Sequence, residues 1–299
     1  MSLPAWASAS HPIARREQTL WGRALRPWRW VWIPLALLPL CCSAVCALSA
    51  LPVALTENTA ETWLFALGLV LFIGVWGLQG FLGFGLNLFL SIGASTLIAR
   101  ERETQNWPML RITTLHVPEI VGAKIAALLR QSRWPIGAVL AARLFAAAIT
   151  TLYAGGALYV FARAPEIAAD TAALTGLWVS FGASAIALTA YFIVELIAGV
   201  FYNCGVGLLA SCFSRATGAA VGITFVLHFV LWFLVLTPIQ QILVPLIAAL
   251  SAAFPPDVSA LMFVGASIVS SFLLPLAFEI GVAAAAFFIV LQVTQGISE

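Results

Sequence analysis

The chain has 299 residues, 62% of them hydrophobic and only 9% charged, with a net charge of +2. A water-soluble domain of this size needs far more polar surface to cover its core, so that class is excluded. Apolar runs well over the roughly 18 residues of a candidate spanning helix recur along the sequence, and no polar stretch is long enough for a separate soluble domain. The composition predicts one polytopic, all-α membrane domain.

Charge is distributed unevenly. Lys and Arg concentrate at 15–29, at 100–133 and at Arg215, whereas the short loops with Glu57 and Glu61, Glu166 and Asp170, and Asp257 carry acids, with Arg163 the one base near them. Basic loops stay on the cytosolic side, which predicts that both termini face the cytosol of a bacterial-type inner membrane. The five cysteines form no CxxC pair and no His/Cys cluster, so no disulfide framework or metal site is expected. A signal peptide is not expected either, because the polar lead is long and Pro34 and Pro39 interrupt the next apolar run.

In chain order, residues 1–29 are a basic lead in which Arg15, Arg16, Arg23, Arg26 and Arg29 alternate with Leu20, Trp21, Leu25 and Trp28. That composition suits a helix lying on the anionic inner surface. Residues 30–299 form the membrane domain. The first span is expected at 30–55 and the second at 63–99, which is long enough that it must tilt, break near Gly80, Gly83 and Gly85, or project into the cytosol. A polar insertion occupies 100–134. The third span follows at 135–162 and a fourth apolar run at 174–210, with a break expected at Asn203, Cys204 and Gly205. The turn 214–217 leads to a fifth span, 218–236, ended by Thr237 and Pro238. Residues 239–254 are apolar but bracketed and interrupted by prolines, which predicts an outer re-entrant hairpin. A sixth span at 259–293, kinked at Pro275, returns the chain to the cytosol. No internal repeat is visible.

The insertion contains two helix starts. Asn106 is a good N-cap and Pro108 fits a first turn, predicting a short helix over 107–115 that presents Trp107, Leu110 and Thr114 along one side. Pro118 and Glu119 start another helix, which ends among Arg130 and Arg133. Trp107, Met109 and Arg111 are interface-prone types, so the first helix is either a dock for a cytosolic partner or an interfacial helix anchored by its Trp.

These residues also carry a resemblance. Glu101, Arg102, Glu103, Trp107, Leu110, Thr113, Leu115, Glu119, Ile120, Gly122 and Lys124 resemble the signature of the ABC type-2 permease family, in which a Glu-Arg-Glu run follows the second span and Gly-Lys closes the insertion. The stretch 207–220 resembles that family's Ser/Arg turn between its fourth and fifth spans, and the six-span order agrees. The chain departs from the pattern at Gln105 and Asn106, which replace Gly-Thr, at Thr114, which replaces Pro, and at Ala123, which separates Gly122 from Lys124. The resemblance implies a permease subunit that pairs with a second permease chain, as a homodimer or heterodimer. It implies that Glu101, Arg102, Glu103, Trp107, Leu110 and Arg111 couple it to separate ATP-binding cassette ATPases, which hold the ATP and Mg. The chain has no Walker A loop, so no cofactor, catalytic residue or metal is expected on it, and no nucleic-acid partner. Short outer loops leave no room for a capturing domain, which points to export. The runner-up is a non-transporting membrane anchor or assembly subunit; a secondary transporter comes third.

Three ionisable residues lie inside apolar runs: Arg143, Glu195 and Glu279. Each costs roughly 2.5–3.5 kcal/mol or more against lipid, so each must face protein, a partner chain or water. Arg143 and Glu195 are expected to pair if the fourth span ends near Asn203. Gln79 and Asn87 are expected to hydrogen-bond between helices. His228 is the single His within a span, which excludes a haem held by two histidines of this chain.

Overall fold

Why a chain this apolar folds as it does is visible in where its small residues fall. The computed structural model describes residues 12–24, 60–106, 116–162, 171–251 and 269–296. These are helical almost throughout, with no strand among them. In chain order the helices are α1 (Pro12–Ala24), α2 (Ala60–Glu103), α3 (Val117–Gln131), α4 (Arg133–Ala162), α5 (Thr171–Phe213), α6 (Thr217–Phe229), α7 (Thr237–Ser251) and α8 (Leu274–Gly296). Within the described residues five stretches are long and apolar enough to cross a membrane: Ile73–Glu103, Arg133–Gly156, Trp178–Phe213, Thr217–Leu243 and Ser271–Thr294. They correspond to the expected second to sixth spans. The expected first span, 30–55, lies outside the described residues.

The chain divides into two compact units, one made of Met1–Trp21, Asn87–Gln131 and Ile197–Glu299, the other of Gly22–Leu86 and Ser132–Leu196. In the second unit Val75, Ala146, Ala147 and Phe192 form a buried apolar cluster, with Trp76, Ile149, Leu188 and Tyr191 packed on it. The Trp76 indole needs a hydrogen-bond partner there, and its Nε1 donates to Thr150 Oγ1 at 2.9 Å.

In the first unit, backbone proximity does the packing. A Cβ on Gly207 of α5 would stand 2.6 Å from Ser91 O, 2.8 Å from Ala94 Cβ and 3.0 Å from Ser95 N on α2. Only glycine fits, and the close approach that results is the normal substitute for a hydrophobic driving force between helices in lipid. One turn on, fully buried Ser211 Oγ accepts from the backbone N–H groups of Ile98 and Ala99, at 2.9 and 2.8 Å. A Cβ on Gly205 would stand less tightly, 3.3 Å from Ala286 Cβ and 3.5 Å from Ala283 of α8. Of the five apolar stretches, that of α2 has 67% of its most apolar 18 residues buried, against 17–28% for the others.

Several sequence expectations are corrected here. Of the three ways open to the long second span, the break is the one not taken: α2 runs unbroken for 44 residues, about 66 Å, straight through Gly80, Gly83 and Gly85. The α5 helix likewise continues for 43 residues through Asn203, Cys204 and Gly205. Asn203 does not open that helix because its amide nitrogen donates to Gly199 O one turn back, at 2.6 Å. Thr237 and Pro238 do not end the fifth span. A π-helical segment, Val230–Leu236, joins α6 directly to α7, so the expected hairpin begins as a continuation of the same helix as far as Ser251. Residues 252–268 lie outside the described part.

Both π segments, Val230–Leu236 and Val269–Leu273, end two residues before a proline, Pro238 and Pro275. A proline inside a helix lacks its N–H and presses on the carbonyl four residues back, and a wider turn just ahead of it relieves both. At the first, Thr237 donates to Trp232 O, five residues back, through both its backbone N–H and its Oγ1, the latter at 2.8 Å.

Helix α2 ends in a Schellman motif. Asn106 N–H donates to Glu101 O at 2.8 Å, Gln105 N–H to Arg102 O at 3.1 Å, and Gln105 takes the left-handed φ of 55°. Asn106 thus closes the second span; its side-chain Nδ2 donates to Thr104 Oγ1. The helix expected over 107–115 lies outside the described residues. A glutamine at a left-handed position costs about 1 kcal/mol or more relative to glycine. Gln105→Gly should therefore raise stability by about 1 kcal/mol and Gln105→Val lower it, read as the thermal unfolding midpoint in detergent micelles.

Candidate functional site

Two polar sites are built within the first unit, and the better furnished is a charged junction where α1, α2 and α3 meet. Helix α1 is amphipathic by its i, i+4 spacing: Ile13 and Glu17 are buried, while Arg15 and Arg16 face outward. Glu17 reaches two cations. Its Oε1 accepts from Lys124 Nζ of α3 at 2.6 Å, and its Oε2 from Arg100 of α2 at 2.5 Å. Lys124 Nζ also donates to Glu101 Oε1 at 3.0 Å, and Arg16 stands 3.5 Å from the same oxygen. The side chains of Glu17, Glu101 and Lys124 are each at most 1% exposed.

Three buried charges survive here because each has a partner, in a group of two carboxylates and three cations. Burial pushes the Glu17 carboxyl up. Lys124 and then Arg100 outweigh that push and hold it below the usual carboxylate range. The local fold brings this about simply. Arg100 and Glu101 sit on the last turn of α2, and Lys124 lies in the second turn of α3. The His116 backbone N–H donates to Glu119 Oε2 at 3.1 Å, a reciprocal cap that fixes where α3 begins. Leu128 of α3 fills the space over Gly93 of α2, where a Cβ would come within 2.7 Å of its Cδ1.

The neighbouring residues are engaged in the same way. Arg102 donates to Cys212 O at 2.5 Å, and Glu103 accepts from both the backbone N–H and the hydroxyl of Thr217, tying the end of α2 to the turn between α5 and α6. Of the six residues expected to meet a partner, Glu101, Arg102 and Glu103 therefore make their contacts inside the chain, and Glu101 is wholly buried. Trp107, Leu110 and Arg111 lie outside the described residues. What the sequence missed is Glu17: a single acid in a basic lead has no periodicity to reveal its partners.

The second site is a hydrogen-bonded network about halfway along the spans. Asn203 Nδ2 donates to Asn87 Oδ1 at 3.0 Å, and Ser91 Oγ donates to Asn203 Oδ1 at 2.7 Å. His228 Nε2 lies 3.0 Å from Asn203 Oδ1, and the Tyr202 ring stands edge-on to the imidazole at 5.2 Å. Glu279 of α8 is 7% exposed; its Oε2 lies 3.8 Å from where a Cβ on Gly199 would stand, beside Asn87 Oδ1 at 3.9 Å. The Asn203 amide, read from sequence as a helix break, is the hub of this network.

In the second unit Arg143 forms an ion pair with Glu195 and also donates to Phe192 O at 3.1 Å. The pair forms although the fourth span does not end near Asn203, because α4 begins as early as Arg133 and α5 runs to Phe213.

Glu17 has a lowered folded pKa, so its stabilising contribution is present above the unfolded value and is lost as pH falls through the folded one. Amide protection of α1 should decline as pH falls below the ordinary carboxylate value of 4.5, with the spans still protected, when followed by hydrogen exchange in nanodiscs. Breaking the Arg143 pair by Arg143→Met or Glu195→Leu alone should cost about 3–5 kcal/mol, and the double variant no more than either; additive losses in thermal unfolding would reject the pair.

No family model, curated protein or solved structure matches the chain.

Proposed function

We propose that this chain is the membrane-spanning permease subunit of an ATP-binding cassette exporter. In this reading it makes six crossings of a bacterial-type cytoplasmic membrane, the first over 30–55, with both termini in the cytosol. Two permease chains pair, and separate ATPase subunits grip the segment between α2 and α3. The observation that supports it best is the meeting of Glu101 with Lys124 at 3.0 Å. These are the first and last charged residues of the stretch that resembles the type-2 permease signature, 23 positions apart in sequence. A loop whose two ends are locked together by a buried ion pair moves as one body with the helices that carry it. Force applied to 107–115 by an ATPase then reaches α2, the most buried of the spans, instead of being absorbed by a slack linker. The left-handed turn at Gln105 supports the same reading, since the family's usual residue there is glycine.

ATP acts on such a subunit only through differential affinity: the ATPases must hold the insertion better in one permease state than in the other. The runner-up, a membrane anchor that recruits a non-ATPase partner, draws support from the engagement of Glu101, Arg102 and Glu103 within the chain, which leaves the partner only 107–115 to hold.

Affinity purification from native membranes separates the two. The full chain should bring down an ATPase in roughly equal amount, and Trp107→Asp with Leu110→Asp should lose it while the protein stays folded. A stoichiometric partner without nucleotide-binding activity would overturn the transporter reading.

A further inference from the structure

The mid-membrane network poses a problem of donors and acceptors. Asn203 has its amide orientation fixed by Gly199 O, a pure acceptor 2.6 Å from Nδ2. Turning the amide over would set two oxygens against each other at that distance, so Oδ1 must face His228. The single proton of Ser91 goes to Asn203 Oδ1 at 2.7 Å; His228 Nε2 is farther from that hydroxyl, at 3.4 Å. The other ring nitrogen, Nδ1, lies 2.8 Å from Thr224 O. Both nitrogens of His228 therefore face oxygens that only accept, at 2.8 and 3.0 Å. A neutral imidazole has one N–H and one lone pair, and satisfies one of these contacts while opposing the other. The imidazolium satisfies both.

We infer that His228 and Asn203 form a proton-binding site in the middle of the membrane, and that the arrangement described here is its proton-loaded form. His228 lies eleven residues into the helix that begins at Thr217, about 17 Å from its start, near the centre of a hydrocarbon core roughly 30 Å thick. An ionisable group at that depth needs a partner or water. Two ionisable side chains surround the network among the described residues: Tyr202 from α5, edge-on to the ring, and Glu279 from α8, on the far side of Asn87 and Gly199. Helix α2 contributes the neutral Asn87 and Ser91. Asn87 is exposed on the surface of the single chain, so the buried amide of Asn203 is connected to a polar group that lipid does not accommodate and that a water-filled passage does.

Loading is a simple transfer: the Nε2 lone pair takes a proton from water, and the ring gains one positive charge. Unloading leaves a lone pair facing an oxygen, so Asn203 and Ser91 must change partners. Those two residues join α2, α5 and α6, and loss of the proton therefore loosens the contact of three spans. This inference does not depend on an ATPase partner.

The chain has three histidines, so changing His11 and His116 to Gln leaves His228 as the one imidazole. The full-length protein, labelled with ¹⁵N-imidazole in lipid nanodiscs, is titrated from about pH 5 to 9 by NMR. The expected result is two N–H signals at the acid end and loss of one proton as pH rises. Asn203→Leu lowers the proton affinity about tenfold or more, and Asn203→Asp raises it. A singly protonated ring down to the acid end, or the same titration in both variants, overturns the inference. The reading on the unaltered network stands even if one variant fails to fold.

Discussion

The ammonium group of Lys124, held between Glu17 and Glu101, is the constraint on which the meeting of α1, α2 and α3 depends. It stands at 2.6 Å from one carboxylate and 3.0 Å from the other, and these come from α1 and α2. A lysine at 1% exposure is tolerated because two carboxylates face it, and each of these has a second cation beside it, Arg100 for Glu17 and Arg16 for Glu101. Helices α1 and α3 are thereby joined at the last turn of α2. Among the described side chains of α1, Glu17 meets Lys124 and Arg100, and the half-exposed Arg16 stands 3.5 Å from Glu101, so the lysine works alongside two arginines in holding α1 to the ends of α2 and α3.

This junction changes what the insertion is. From sequence it reads as a polar insertion with two helix starts, the first a dock for a cytosolic partner or an interfacial helix. In the folded chain the charges nearest the spans are spent on the protein itself, Glu101 on Lys124, Arg102 on Cys212 O and Glu103 on Thr217. The same economy appears within the spans. Where α5 comes closest to α2 the chain places Gly207, and the buried Asn203 amide finds bonds one turn back and on a neighbour, with Gly199 O and Asn87.

Hydropathy made most of the fold legible, because a spanning helix announces itself by length and composition. The five stretches at Ile73–Glu103, Arg133–Gly156, Trp178–Phe213, Thr217–Leu243 and Ser271–Thr294 follow the apolar runs closely. What hydropathy misjudged were the interruptions. The Asn203–Gly205 stretch and Pro238 read as breaks, and Gly80, Gly83 and Gly85 as one of three ways to accommodate a long span, because each is a poor helix former in water. In a bundle, glycines permit close approach, an amide finds a carbonyl, and a π turn makes room for a proline ring. The partners of charged residues were less legible still. Glu17 and Lys124 are 107 positions apart, and no local pattern records that they touch. Glu101 and Lys124 stood out because of a resemblance, and only the folded chain brings them to one point.

The direct test of the junction is hydrogen exchange on the full-length protein in lipid nanodiscs, comparing the natural chain with Lys124→Met. If one buried ammonium holds three helices together, protection should fall in parallel over α1, the last turns of α2 and α3, while the central stretches of the spans stay as they were. Loss confined to α3, with α1 and the end of α2 unchanged, would contradict the account.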